Sequence, residues 1–482
     1  MKKKIILTFL AFLLAFGAIG CENVEYIENS ADSSSENVYD KIEQEVPTLD
    51  PDENGELRTQ KFIIATDKKN VFWQDEENPS SVSKAIEKRN DFLFDKYGAE
   101  IQVLEMTYTN LSNAIIKSLQ SDLDPFDMIA VSAKETVKLY VAGLLGDMNT
   151  LPEFNIENAY FDANNAKSLA TNSTLYLLPD PTAQYYEELY TMFFNRDIVE
   201  KTAGKDPESL VMQGLWTWDS FNEIARASAP GVYAGSTADL TTDTFAFGAY
   251  YSENTLPLVM WTSTSNKMID NSYKNPVKLS MSADQVKGIA SALQKTYNSR
   301  GRFPLEGEEA ANAFLDGRLA FLVHKFGYFY KLRDGAKAGE NYGFLPIPKA
   351  SETQTSYNSL ASSDARVLSI PKTVENNDDA RKKFVSAVIS ATCAAGRETV
   401  KNAFVNEHIA LYLYDNEETV MLQTICESAT FDFATVYGSV IGEIRRPTTT
   451  AISDYIEFGS ALNTSIGSAL SAFNKYSQEK FK

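Results

Sequence analysis

The stretch KFIIATDKK, residues 61–69, is an apolar run that gives way at once to polar residues. This composition predicts a buried β-strand followed by a loop. Residues 80–98 continue with apolar positions that repeat near one helical face, and Gly98 is placed to end that helix. The apolar residues from Ile101 to Leu104 predict a second strand. A strand, a helix and a strand in this order predict a β-α-β unit with parallel strands.

The same alternation continues along the chain. A helical pattern spans Leu111 to Leu119, Pro125 follows it, and Met128 to Val131 form the next apolar strand. The strand RVLSI, residues 366–370, comes late in the chain and is followed by helix-rich sequence. We therefore expect an α/β fold with mainly parallel sheets and with binding loops at the carboxyl ends of the strands.

The first 21 residues, MKKKIILTFLAFLLAFGAIGC, place three lysines before an apolar run and a glycine before Cys21. The run is shorter than the roughly 20 apolar residues of a membrane-spanning helix, so we expect residues 1–20 to be an export signal. Ala18 to Cys21 resembles the lipobox of bacterial lipoproteins, with alanine where leucine is usual. That resemblance implies a lipidated Cys21 as the mature N-terminus. A soluble secreted product is the alternative.

Residues 21–60 have the composition of a flexible tether. After Cys21 this segment holds 12 acidic side chains against Lys41 and Arg58, together with a run of serines. Such a segment cannot bury enough apolar surface to offset its ordering entropy. Of the net charge of −20, the signal accounts for +3 and this segment for −10, which leaves −13 on the body. An acidic body argues against binding nucleic acid.

Roughly 420 residues remain beyond the predicted tether, which is too many for one ordinary core and suits two lobes. Cys393 and Cys426 are the only cysteines of this body. We expect two buried free thiols there, although a disulfide between them is a possible alternative.

The motifs of common catalytic and metal sites are missing from the sequence. There is no phosphate-binding glycine loop, no zinc-protease motif and no paired CxxC, and His324 and His408 are the only histidines. Residues 50–55 resemble the start of a calcium loop, but Lys61 stands where the bidentate glutamate belongs, so we expect a turn. Carboxylates are abundant, and a glycosidase pair stays open on composition alone. We expect no cofactor and no metal.

Seven stretches, in order, resemble the extracellular solute-binding proteins of ABC importers, in particular the family that binds sugars and oligosaccharides. They are DPFDMIAV (124–131), AGLLGDMN (142–149), LYLLPDP (175–181), MFFNRDIVEK (192–201), WTWDSFNEIA (216–225), AFLDGRLAF (313–321) and YGFLPIPK (342–349). Several of their residues are expected to define the fold: Asp127 precedes a buried strand, Asn195 caps a helix, and Trp216 and Trp218 pack against the helix that follows them.

The resemblance implies a two-lobed periplasmic-binding-protein-like fold, in which each lobe is a mainly parallel sheet flanked by helices and the ligand lies in the cleft between the lobes. The family's topology places a hinge of crossing strands near Pro181, Ser359 and Thr430. The implied lobes are 61–183 with 361–430 for lobe one, and 184–360 with 431–482 for lobe two.

The candidate ligand-binding residues follow from the predicted loops and from the resemblance. Glu188, seven residues before Asn195, matches a crossing-strand position that contacts sugar in the maltodextrin-binding branch. Trp73 and Trp261 fit the cleft or the core equally well, and His324 also fits a structural role. The tryptophan that family members often place after asn-gly-pro is missing here. The full set is Asp67, Lys68, Trp73, Ser132, Glu188, Trp261, His324, Phe326 and Tyr328.

The resemblance implies a monomeric, lipid-anchored binding protein at the outer face of a bacterial cell membrane. It would capture a sugar or oligosaccharide and deliver it to the permease subunits of an ABC importer, without catalysis. Aromatic rings suit the C–H faces of a pyranose, and charged side chains suit its hydroxyls. A surface glycan-binding or sensor lipoprotein without a permease, or a glycan hydrolase, is the alternative. The sequence does not identify the ligand and leaves room for an amino sugar, a uronate-containing glycan or a non-sugar solute.

Overall fold

The structure is a computed structural model. It describes residues 35–51, 57–77, 79–121, 125–230, 239, 241–250, 256–267, 269–271, 278–280, 285, 288–289, 292–293, 296, 305–334, 341–413 and 415–441. The predicted signal, the lipidation site Cys21 and the last part of predicted lobe two, residues 442–482, lie outside this description.

The described strands number 14 and are labelled in chain order. They are β1 Gln60–Thr66, β2 Ala99–Glu105, β3 Met128–Ser132, β4 Leu145–Gly146, β5 Tyr190–Asn195, β6 Phe245–Ala249, β7 Ile269–Asp270, β8 Lys278–Leu279, β9 Leu305–Glu306, β10 Leu319–Lys325, β11 Tyr342–Leu345, β12 Ser359–Leu360, β13 Arg366–Pro371 and β14 Ala429–Thr430.

Helices connect most of these strands. The described α-helices are Ser35–Glu45, Ser81–Tyr97, Tyr108–Leu119, Ala133–Val141, Ala163–Leu169, Arg196–Ala203, Pro207–Met212, Trp218–Ser228, Leu256–Ser263, Gly307–Leu315, Tyr328–Asp334, Lys372–Glu375, Asp379–Ala395, Asn416–Glu427 and Phe433–Ile441. Beyond Ala395 the helix continues through π-helical turns over Gly396–Val400 and Ala403–His408. In the described part of the chain, no helix has the length and apolar character needed to cross a membrane.

The first sheet has the order β2-β1-β3-β13-β4. β1 pairs in parallel with β2 and β3, whereas β13 runs antiparallel to β3 and β4. Every residue of β3 is buried, as expected for a parallel strand that is covered by helices on both faces. The predicted β-α-β unit is confirmed, with Gly98 at φ 64° as the helix C-cap.

The second sheet has the order β11-β5-β10-β6-β9. β10 pairs in parallel with β6, and β6 with β9, whereas β5 runs antiparallel to β10 and β11. Each sheet is thus mainly parallel with a single opposed strand, which confirms the predicted α/β architecture. Because β5 and β13 oppose their neighbours, both start at the sheet edge where the parallel strands end.

Three short segments cross side by side between the sheets. The Ala361 N–H donates to the Thr430 carbonyl at 2.9 Å, and the Ser362 N–H donates to the Glu188 carbonyl at 2.9 Å. Leu189 and Ala361 also form an antiparallel bridge. We call the segments 188–190, 359–362 and 428–430 the crossing ribbon. It contains two of the three predicted hinge points, Ser359 and Thr430.

The third predicted hinge point, Pro181, lies in a different place. It begins a short 3-10 turn that is capped by the Asp180 side chain. This turn packs tightly against Gly396, which follows the helix Asp379–Ala395. A Cβ added to Gly396 would lie only 1.6 Å from Thr182 Oγ1. Glycine is therefore required where the two segments meet.

The residues expected to define the fold do so. Trp216 and Trp218 are buried, and their indole N–H groups donate to the Pro346 carbonyl and to Ser263 Oγ. The Asn195 side chain caps the helix that starts at Arg196. These contacts confirm the predicted packing and capping roles.

Asp127 joins two parts of the first sheet region. Its carboxylate accepts a hydrogen bond from the Ile63 N–H at 2.8 Å and pairs with Arg381 at 2.5 Å. A carboxylate that is 2% exposed needs such partners, because an unpaired buried charge is strongly unfavourable. The residue therefore anchors β1 to the helix Asp379–Ala395.

Residues 42–51 depart from the predicted flexible tether. Ile42 and Val46 are only 1% and 5% exposed, and the Tyr97 hydroxyl donates to the Pro47 carbonyl at 2.7 Å. The prediction rested on the acidic composition of the whole segment and overlooked these two apolar residues. Their burial against the body is favourable because it removes apolar surface from water. The tether prediction is therefore wrong for this part of the segment.

Two late helices also lie differently from the lobe assignment implied by the resemblance. Asn416–Glu427 was assigned to lobe one, but its Glu418 pairs with Arg196 and Arg333 beside the second sheet. Phe433–Ile441 was assigned to lobe two, but its Tyr437 hydroxyl donates to the Leu169 carbonyl, next to the first sheet. The chain thus crosses between the sheets more often late in the sequence than the resemblance implied.

Candidate functional site

An ion-pair network lies where the strand ends of the two sheets meet. Lys325 ends β10, and its Nζ lies 2.6 Å from Glu188 Oε2 and 2.7 Å from Asp364 Oδ2. The other oxygen of Asp364 pairs with Lys134, at the start of the helix after β3. Ser362 Oγ donates to Glu188 Oε2 at 2.6 Å. We call these five residues the cleft floor; they tie the crossing ribbon to both sheets.

The protonation state of Asp364 follows from these contacts. Partial burial alone would raise the pKa of its carboxyl group. The hydrogen bonds and charges of Lys134 and Lys325 outweigh that effect and hold the pKa below its ordinary value. Asp364 is therefore an ionised acceptor between two ammonium groups at neutral pH.

Arg366 adds a second ion pair beside the floor. Its Nε donates to Asp67 Oδ1 at 2.8 Å, and its Nη1 lies 3.5 Å from the Ala183 carbonyl oxygen. Arg366 starts β13, and Asp67 directly follows β1. The end of β1 and the start of β13, which flank β3 in the first sheet, thus present a carboxylate and an arginine in contact.

A pocket of about 530 Å³ opens on the loop after β1. Trp73 lies half-buried in its wall, with the Lys69 ammonium 5.9 Å from the ring centroid. The lining residues are Asp67, Lys68, Lys69, Asn70, Trp73, Gln74, Asp75, Glu76, Glu77 and Glu105. The pocket therefore combines one aromatic face with many carboxylates, on the side of the first sheet.

A stack of three rings stands at the ends of β6 and β10 in the second sheet. The His324 ring lies between Tyr250 and Tyr328, with centroid distances of 4.3 and 4.2 Å. The Tyr250 hydroxyl donates to Glu308 Oε1 at 2.7 Å. Burial lowers the pKa of His324 to about 4, so its imidazole is neutral at physiological pH.

The structure places most of the residues that the sequence singled out in three groups. Asp67, Lys68 and Trp73 share the pocket, Glu188 lies in the cleft floor, and His324 stacks on Tyr328. Ser132 ends β3 and is 6% exposed, and its hydroxyl has no hydrogen-bond partner among the described residues.

Two predicted contacts lie in the core instead. Phe326 is 1% exposed and packs on Phe329 and Phe344. Trp261 is 2% exposed in a helix whose described residues are all buried. Large apolar rings are more favourable in the interior than at a wet surface, so both belong to the core of the second sheet.

Several polar residues of the site were missed by the sequence reasoning. Lys134 comes two residues after Ser132, Lys325 directly follows His324, and Asp364 precedes β13 by two residues. Arg366 and Tyr250 likewise stand at a strand end. The available signal was therefore a charged or aromatic side chain next to a predicted strand. For the parallel strands such a residue comes at or just after the carboxyl end, whereas for the antiparallel strand β13 it comes at or just before the amino end.

The two body cysteines are free and buried, as expected. Burial raises the pKa of both thiols, so neither is a ready nucleophile. Within the described residues, no group of three or more His, Cys, Asp or Glu side chains is arranged to hold a metal ion.

Comparisons with known proteins agree on the fold. The family model for bacterial extracellular solute-binding proteins matches residues 84–395, which is more than half of the chain. A cyclic alpha-maltosyl-1,6-maltose binding protein from Arthrobacter globiformis has a TM-score of 0.55 at 11% identity, covering 87% of this chain and 100% of that one. The sugar-binding protein MalE from Xanthomonas citri has a TM-score of 0.53 at 13% identity, covering 87% and 98%.

A third structure, a family 1 extracellular solute-binding protein from Bifidobacterium longum subsp. infantis, has a TM-score of 0.51 at 12% identity, covering 85% of this chain and 99% of that chain. A search of curated protein sequences gives no match. At such identities the structural likeness speaks for the shared two-lobed architecture. With the family match, it follows that the chain belongs to the bacterial extracellular solute-binding proteins.

Proposed function

We propose that this protein captures a sugar or oligosaccharide in the cleft between its lobes and delivers it to the permease of an ABC importer. The observation that carries the proposal is the cleft floor, where ammonium and carboxylate groups alternate at the strand ends of both sheets. Each sugar hydroxyl both donates and accepts hydrogen bonds, so such alternation suits a polyhydroxylated ligand. The similar proteins from Arthrobacter and Xanthomonas are described as binding sugars.

The ligand would contact both lobes. In lobe one, Trp73 offers an aromatic face, and Asp67 and Lys68 offer polar groups around it. Ser132, at the end of β3, is the further predicted contact from this lobe. On the side of the second sheet, the partly buried rings of Tyr250 and His324 would offer the matching aromatic surface, and the buried Tyr328 ring packs against His324. Glu188 would accept hydrogen bonds from the ligand at the base. The apolar face of a pyranose can stack on such rings while its hydroxyls pair with the charged groups.

Binding would favour closure of the lobes about the crossing ribbon. A ligand that touches both lobes only in the closed state shifts the population toward that state by its differential affinity. For this motion the lobes are residues 61–183 with 361–413 and 433–441, and residues 184–360 with 416–427. The short segments of the crossing ribbon are suitable hinges, because a few residues at the ends of strands can absorb the change in backbone angles.

We expect binding rather than hydrolysis. A glycosidase needs one carboxyl group with a raised pKa as the general acid. The two carboxylates of the floor, Glu188 and Asp364, are bridged by Lys325, and the pKa of Asp364 is lowered. Asp364 is therefore ionised at neutral pH and has no proton to donate as a general acid. The pair suits hydrogen bonding to a bound glycan better than acid catalysis.

The N-terminal segment would place this function at the cell surface. A lipid on Cys21 would anchor the protein at the outer face of the membrane, and the acidic segment that follows would link it to the body. With residues 42–51 packed on the body, the free part of the tether is shorter than its full predicted length. Permease subunits in the same membrane are the proposed partners.

A thermal-shift screen against a panel of oligosaccharides tests the proposal. A ligand present at 100 times its dissociation constant adds about 2.7 kcal/mol of stability, which raises the midpoint of unfolding by a readily measured amount. We expect at least one neutral oligosaccharide to do so, without appearance of hydrolysis products by chromatography. A panel without any shift, or a glycan that is cleaved, would contradict the proposal.

A further inference from the structure

Every cation of the cleft floor and of its neighbouring ion pair is already bound to a carboxylate. Lys325 contacts Glu188 and Asp364, and Lys134 contacts Asp364. Arg366 contacts Asp67. Three positive and three negative side chains thus form these pairs, and these six side chains together carry no net charge.

The pocket wall next to the floor is acidic. Its lining contains two lysines, Lys68 and Lys69, and five carboxylates: Asp67, Asp75, Glu76, Glu77 and Glu105. The Lys69 ammonium lies over the Trp73 ring, so one of these cations is engaged with the aromatic face. An anionic ligand that approaches Trp73 would meet a negative potential.

From these charges we infer that the site takes uncharged sugar units and rejects uronates, and that Asp364 sets this preference by neutralising Lys134 and Lys325. The inference rests on the proposed capture of a glycan and narrows its ligand class. It excludes uronates, which the sequence left open, from the ligands of this site.

A uronate carboxylate at the floor would face two unfavourable outcomes. It would displace Glu188 or Asp364 from an ammonium group, or it would be desolvated beside carboxylates without a cation of its own. A neutral hydroxyl avoids both, because it donates to a carboxylate oxygen or accepts from an ammonium while the ion pair stays intact. The paired floor therefore discriminates between ligands by their charge.

Asp364 is the residue on which this balance depends. It is the only floor carboxylate that contacts both Lys134 and Lys325 among the described ion pairs. Its backbone N–H is held by Ser362 Oγ at 3.1 Å, so the turn that carries it does not rely on the carboxylate alone. An amide in its place keeps the size of the side chain and removes only the negative charge.

The experiment compares neutral and anionic probes on the purified protein by titration calorimetry. The neutral probes are maltotriose, cellotriose and α-1,4-galactotriose, and the anionic ones are α-1,4-trigalacturonate and β-1,4-triglucuronate. We expect wild type to bind at least one neutral probe, and each uronate about tenfold or more weakly than the best neutral one. In Asp364→Asn, the ratio of uronate to neutral affinity should rise by about tenfold, because two ammonium groups lose a counter-charge.

Asp197→Asn is the matched control, since this carboxylate also pairs with a lysine but follows β5 at the opposite edge of the second sheet. It should leave the ratio unchanged. Lys325→Met should lower the ratio further, because it adds uncompensated negative charge to the floor. Thermal unfolding of each variant reports whether it is folded.

The outcomes separate this inference from the proposed function. Wild type that binds a neutral probe and a uronate equally well, or Asp364→Asn that leaves the ratio unchanged, would overturn the charge preference and leave glycan capture standing. Wild type that binds none of the neutral probes but binds a uronate would also overturn it. Failure to bind any probe would overturn both the inference and the proposed function.

Discussion

His324 shows at the scale of one residue how burial sets chemistry. Its ring is held between two tyrosine rings at the end of β10, and burial lowers its pKa to about 4. The sequence left open a cleft role or a structural role for this residue. In the structure its ring is packed between other rings and also lies at the strand ends of the second sheet. A structural role and a role in the cleft are therefore compatible.

The low pKa of His324 makes a pH-dependent contribution to stability. Between pH 6.5 and pH 4 the unfolded chain binds a proton at this residue that the folded chain does not, so acidification favours unfolding. The free energy of unfolding should fall by up to about 3 kcal/mol from this source over that interval. His324→Phe keeps a ring in the stack but removes the titrating group, so its stability should decline less with acid.

Urea unfolding of wild type and His324→Phe at several pH values measures this difference. His408→Phe removes the other histidine and serves as the control. A variant whose stability falls as steeply as that of wild type between pH 6.5 and pH 4 would show that His324 is not held neutral by the fold.

Other residues show where sequence reasoning reaches its limit. Phe326 and Tyr328 stand two positions apart at the junction of β10 and a helix, and the pattern alone cannot tell which ring faces the core. Lys134 and Asp364 meet although 230 residues separate them. Contacts of this kind depend on how the chain returns to the first sheet, which no local pattern encodes.

At the scale of elements, the strands were the most predictable feature. The predicted strand from Met128 to Val131 differs from β3 by one residue, because a run of apolar residues flanked by polar ones has sharp ends. The late helices were less predictable. Asn416–Glu427 packs beside the second sheet because Glu418, 1% exposed, meets Arg196 and Arg333 there.

This buried ion network makes a prediction about stability. Glu418→Ala leaves Arg333, whose side chain is only 3% exposed, without its carboxylate and should destabilise the protein by about 3–5 kcal/mol. Glu417→Ala is the matched control on the same helix, where an exposed carboxylate is lost at a cost of less than about 1 kcal/mol. Chemical denaturation measures both. Equal effects of the two substitutions would contradict the role assigned to the network.

At the scale of the whole molecule, the carboxyl ends of the parallel strands of one sheet face those of the other sheet. β5 and β13, the opposed strands, start at that same edge, directly after the crossing ribbon. The sequence could predict this architecture through the order of seven family-like stretches. It could not predict the charge balance of the cleft floor, because Lys325 and Asp364 come from different sheets and each is unremarkable in its local sequence.

The whole molecule is also acidic, with a net charge of −20. The cleft floor differs from this background because its carboxylates are matched by ammonium groups. In the proposed function, a neutral ligand would form its hydrogen bonds there, where both sheets and the crossing ribbon meet. Closure about that point would bring the Trp73 pocket toward the His324 stack.

Small-angle X-ray scattering with and without a glycan that binds tests the central claim, which is that the ligand favours a closed arrangement of two lobes. A saturating glycan identified by thermal shift should lower the radius of gyration, and a glycan of equal size that does not bind should leave it unchanged. The same radius of gyration with and without saturating ligand would contradict capture by closure about the crossing ribbon.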